Sequence, residues 1–131
     1  MKVIEQYAPS AQIIAVVKSN AYGHGLCSVA QRLKDKVEMF GVATIDEALT
    51  LRKSGINNPI MLMQGVFEDD ELCVASEKNF HVVFHNFQHL DWLQLKSLPK
   101  ILNVWLKIDT GMGRLGFSTE EVNKAYNMLS Q

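Results

Sequence analysis

The sequence is short of cysteine, of long apolar runs and of excess charge of either sign, and each shortage excludes a class of function. Its two cysteines, Cys27 and Cys73, fall in apolar helical patterns without metal-ligand spacing, so reduced thiols are expected rather than a disulfide framework or a zinc site. No apolar stretch reaches the roughly 18 residues of a membrane span, and no signal-type apolar region opens the chain. The expectation is therefore a soluble, cytoplasmic protein. A net charge of -1 and a pI near 6.4 give no basic footprint for nucleic acid or an anionic membrane. The histidines add no metal centre: His81, His85 and His89 are spaced by four across a strand and the next helix, and His24 stands alone in a loop.

What is present is an ordinary globular composition, 47% apolar and 21% charged over 131 residues, enough for one domain with one core. Met1 to Tyr7 reads as a short helix. Ile13 to Val17 is a buried strand that ends on Lys18, followed by a turn with Gly23 and Gly25 and a helix bearing Cys27, Val29, Ala30 and Leu33. Further strands are expected at Met39–Ala43, Ile60–Met63, His81–Phe84 and Leu102–Asp109, their starts falling 21 residues apart. Between them lie helix signals: a capping box at Thr44 and Glu47, the acidic cluster Glu68 to Glu71, a cap at Asn86, and Ser118-Thr119-Glu120-Glu121. Alternating strands and helices of this size imply an α/β fold with a parallel sheet. Either a doubly wound sheet or about five units of an incomplete TIM-type (β/α)8 barrel satisfies the pattern.

The chemistry-bearing residues gather at strand ends. Lys18 follows a buried strand, where an amine serves in covalent attachment to a carbonyl, as a base, or as a phosphate contact; a solvated lysine is the alternative. Strand alternation puts Trp105, Lys107 and Asp109 on one face, which in a barrel faces the same interior as Lys18. A simple Lys107–Asp109 ion pair is the competing reading. Asp109 to Gly116 contains Gly-x-Gly-x-x-Gly, formally a dinucleotide fingerprint, but no following strand carries the ribose-binding acid. Arg114 within it is read as a donor to a carboxylate or phenolate oxygen, with a solvated loop arginine as the alternative.

Three segments, Ala15-Val16-Val17-Lys18-Ser19-Asn20-Ala21-Tyr22-Gly23-His24-Gly25, Phe40 to Ala48, and Trp105 to Gly116, resemble the bacterial alanine racemases in order and spacing. The resemblance runs over essentially the whole chain. It implies residues 1–131 of a pyridoxal 5'-phosphate-binding barrel domain, with the family's N-terminal strand, its remaining barrel units and its C-terminal β domain outside this sequence. It implies L- and D-alanine as substrate and product, D-alanine going to peptidoglycan, and a homodimer at full length. Carried over, Lys18 is the catalytic lysine that holds the cofactor, Tyr22 lines the cofactor pocket, and Arg114 bonds the cofactor's ring oxygen and receives the substrate carboxylate. Lys107 matches a lysine that is often carbamylated. Ser19 replaces a common alanine. Racemisation needs a base on each face of the substrate, and the family's second base is a tyrosine of the partner subunit. The chain alone is therefore expected to be inactive, and to self-associate through its open strand edges and bare inner face. A non-catalytic pyridoxal phosphate-binding barrel module and a nucleotide-binding α/β domain are the alternatives.

Overall fold

The computed structural model describes residues 2–130; Met1, counted above in the first helix, and Gln131 lie outside them. Five strands, β1 (Ile14–Val16), β2 (Met39–Val42), β3 (Ile60–Leu62), β4 (His81–Phe84) and β5 (Asn103–Leu106), pair in the order β1-β2-β3-β4-β5. Every pairing is parallel. A doubly wound sheet reverses its order at a switch point, whereas a barrel adds each strand beside the last. The sequential order is that of the barrel.

The helices are α1 (Lys2–Tyr7), α2 (Lys18–Tyr22), α3 (Leu26–Leu33), α4 (Ile45–Lys53), α5 (Glu71–Glu77), α6 (Phe87–Leu95) and α7 (Val122–Leu129). Their starts follow the sequence signals with two adjustments. Thr44 Oγ1 accepts from Glu47 N at 3.4 Å, but the Glu47 carboxylate reaches past the cap to Ala43 N at 3.0 Å, so only half of the expected box forms. Ser118 and Glu121 form the full reciprocal box, at 2.9 and 3.3 Å, one turn ahead of α7.

Strand alternation sorts the sheet into two faces. Phe40, Val42, Ile60, Leu62, Val82 and Phe84 lie in the large core under the helices. The other face carries a smaller cluster of Met39, Met61 and Val83 with Met63 packed against it. Beside that cluster, Trp105 Nε1 donates to His81 Nδ1 at 3.0 Å. The expected fifth strand was too long: pairing with β4 ends at Leu106, and Lys107 N makes a last bond to Phe84 O. Beyond it the chain loops out from Asp109 and returns at Phe117, whose N and O bond Lys107 O and Asp109 N, each at 2.9 Å. Phe117 is buried and stacks edge-on against Phe87, which closes the neck of the loop.

His85 and His89, which do not share one helical face, nevertheless have ring centroids 4.6 Å apart, His85 standing just before the cap residue Asn86 and His89 in the first turn of α6. Each anchors the chain after β3: His85 Nε2 pairs with Gln64 O at 2.9 Å, and His89 Nε2 with Val66 O at 3.1 Å. His89 is buried and its Nδ1 has no partner, so the imidazole is held neutral. Burial first, then the neighbouring His85, depress its pKa from 6.5 to about 4. The unfolded chain therefore takes up this proton at a higher pH than the folded one. Its stabilising contribution is full above about 6.5 and falls away as the pH drops toward about 4, by on the order of 3 kcal/mol. Urea denaturation of the protein and of His89→Leu across that window checks this: the wild-type chain should lose stability more steeply, and parallel curves would refute it.

Candidate active site

The carboxyl end of β1 begins the site. Val17 N bonds Gly41 O at 2.8 Å, and at Lys18 the chain leaves the sheet into α2, one helical turn wound left-handed. Ser19, Asn20, Ala21 and Tyr22 have φ of 53°, 54°, 52° and 54°. In this conformation an L-residue's Cβ crowds the next carbonyl, at roughly 1–2 kcal/mol per residue, so the turn persists only if its surroundings hold it. They do so at several points. Ala21 N bonds Val17 O at 2.8 Å, Asn20 Oδ1 accepts from Leu26 N at 2.8 Å, and Glu47 Oε1 accepts from Asn20 N at 3.3 Å.

Lys18 then lines a pocket of about 310 Å³ with Met63, Gln64, Lys107, Arg114 and Leu115. Three chain segments converge there: the ends of β1 and β3, and the end of β5 with its glycine loop. The closed neck at Phe117 folds the loop back so that Arg114 returns over the strand end. Among the described residues, none of Lys18, Lys107 and Arg114 has a carboxylate within ion-pair distance. Three cations around one small pocket repel each other unless an anion enters, so the donor set suits a ligand with anionic oxygens.

The other expected site residues lie elsewhere. Tyr22, at the end of the left-handed turn, is 60% exposed and does not line this pocket. Asp109 does not line the pocket with Lys18, and no ion pair joins it to Lys107 among the described residues. Its Oδ1 instead accepts from Gly111 N at 2.9 Å and Gly113 N at 3.1 Å, and these bonds, Gly111's first, hold its pKa below the usual carboxylate range. Those amides would face phosphate in a dinucleotide fingerprint; here a carboxylate already occupies them, and the sheet lacks a switch point. His24 is an exposed loop residue whose Nδ1 pairs with Ala21 O at 3.0 Å. No cluster of metal-ligating side chains occurs among the described residues.

Sequence reasoning missed Met63 and Gln64, although they directly follow a buried strand at the same rim as Lys18. It also missed that Glu47 serves the Lys18 turn, since a capping box accounts for the glutamate without it.

Comparison with known proteins places the chain in a family. The model of the alanine racemase N-terminal domain matches residues 1–131. The alanine racemase of Haemophilus influenzae is 47% identical over 131 residues, all of this chain and 36% of that protein, so the chain spans about a third of this relative's length. Among solved structures, the biosynthetic alanine racemase of Pseudomonas aeruginosa superposes with a TM-score of 0.93 at 35% identity, covering 99% of this chain and 36% of that one. A histidine racemase from Leuconostoc mesenteroides superposes with a TM-score of 0.88 at 34% identity, covering 98% and 36%. The sequential parallel sheet and the family match over residues 1–131 lead to one conclusion: the chain belongs to the alanine racemase N-terminal domain family.

Proposed function

We propose that this chain provides the lysine-bearing part of a pyridoxal 5'-phosphate-dependent alanine racemase, with L- and D-alanine as substrates and a dimer as the working assembly. The observation that carries the reading is the pocket itself, in which Lys18, Lys107 and Arg114 converge with no carboxylate in ion-pair reach among the described residues. Bound there, pyridoxal phosphate supplies the electron sink that makes loss of an α-proton feasible. Lys18 offers the amine for covalent attachment and, when freed by substrate, a base on one face of Cα. Arg114 offers a planar fork for a ring oxygen or a substrate carboxylate. Tyr22 belongs to the same proposal only through a wall that the rest of the family's barrel completes.

Lys107 has a separate task. An amine that adds carbon dioxide and sheds a proton becomes a carbamate, turning a cation beside Arg114 into an anion that holds it. A mass spectrum recorded under mild conditions should show the added carboxyl on the Lys107 peptide; its absence there with bicarbonate present counts against the modification.

The family fold serves both alanine and histidine racemases by name, so this chain, about a third of the length of either, does not by itself choose the side chain. The test is a chimera in which this chain replaces the matched segment of the Haemophilus influenzae relative. It should racemise L-alanine and lead histidine as a substrate. A folded chimera that binds pyridoxal phosphate without racemising alanine would instead favour a cofactor-binding module.

A further inference from the structure

We infer that Glu47 is a positioning residue for Lys18: its carboxylate clasps the left-handed turn to the sheet and so fixes where the amine emerges. The inference rests on the proposed role of Lys18 and extends it to a residue that does not touch the pocket. Two oxygens of one side chain bond two backbone amides from different segments, Oε1 to Asn20 N at 3.3 Å and Oε2 to Ala43 N at 3.0 Å. Asn20 stands two residues after Lys18, in the middle of the strained turn, and Ala43 directly follows β2, the strand paired with β1. The carboxylate therefore ties the turn to the sheet neighbour of the lysine's own strand.

Several features make this more than a helix cap. Thr44 already supplies the cap at the start of α4, accepting from Glu47 N, so the Glu47 side chain is free to act elsewhere. Four successive non-glycine residues in the left-handed region do not stay there unaided. The second support, Asn20 Oδ1 accepting from Leu26 N, joins the turn to α3 and not to the sheet. Glu47 alone among these contacts joins the interior of the turn to the strand layer through a side chain. Without it, the turn has a lower cost to relax toward right-handed geometry, and the residue before it, Lys18, swings with it.

The experiment follows modification by pyridoxal phosphate, trapped with borohydride and mapped by peptide mass spectrometry, as the ratio of adduct on Lys18 to adduct on the exposed Lys53. Glu47→Gln keeps the shape but turns a donor toward one of the two amides. Asn86→Ala, which removes the side-chain cap of α6 at a residue that bonds neither the turn nor Glu47, is the control for general destabilisation. Glu47→Gln should lower the ratio about tenfold, as misplacement of a reacting group does, while Asn86→Ala leaves it unchanged. An unchanged ratio in Glu47→Gln overturns the inference. If that variant does not fold, amide hydrogen exchange in the wild-type chain decides: comparable protection of Asn20 and Ala43 supports the clasp, and Asn20 exchanging as a free amide refutes it. A wild-type chain with no preference for Lys18 would refute the proposed role of Lys18 itself, which is a different result from an unchanged Glu47→Gln.

Discussion

Replacing Gly65 by alanine should be among the most destabilising single-methyl changes in the molecule. Gly65 has φ of 76°, and an added Cβ would sit 2.7 Å from Val83 O and against the His89 ring. Left-handed backbone at a non-glycine residue costs roughly 1–2 kcal/mol, and overpacking roughly 1–3 kcal/mol more. Neither neighbour gives way easily. Val83 O belongs to a central strand, and His89 is buried with its Nε2 committed to Val66 O. A total of about 2–5 kcal/mol should lower the melting temperature by about 10 °C or more. The damage reaches the pocket, because Gln64 precedes Gly65 and lines it. A thermal melt of Gly65→Ala within about 2 °C of the parent would show that the loop after β3 is not held as described.

The second large effect is chemical rather than structural. In the chimera with the Haemophilus influenzae relative, Lys18→Ala should lower alanine racemisation roughly a thousandfold or more, since it removes both the attachment point and one base. Lys18 makes no side-chain hydrogen bond or ion pair among the described residues, so the melting temperature should barely move. Stability retained with activity lost separates this lysine from one that merely supports the fold. Lys18→Ala retaining a tenth or more of the rate would mean that another amine carries the reaction.

How much of this is legible in the sequence depends on which level of organisation sets each feature. The strands could be read because Phe40, Ile60, Val82 and Phe84 are buried and bounded by turn and cap signals, and the regular spacing left only two architectures. The strand order then chose between them, and order is a property of pairing that no local window contains. Lys18 was found because a cation that ends an apolar run stands out against it. The left-handed turn after it was not, since Ser-Asn-Ala-Tyr carries no glycine and local preference argues against that conformation; contacts from Glu47 and Leu26 override the preference. Asp109 was assigned to the inner face by extending strand alternation past Leu106, where the ladder had already ended. Helical spacing says nothing of the contact between His85 and His89, whose rings meet across the cap of α6 as both bond the chain after β3.

The most direct measurement is the map of where pyridoxal phosphate attaches. The chain carries Lys18 and Lys107 at one pocket and other lysines on its surface, so the reagent has a genuine choice. After brief exposure and reduction with borohydride, the pyridoxyl group should be confined to the peptide that contains Lys18, and free phosphate in excess should not redistribute it. Labelling spread evenly over the lysines, or centred on Lys107, would contradict the assignment of Lys18 as the residue around which this site is built.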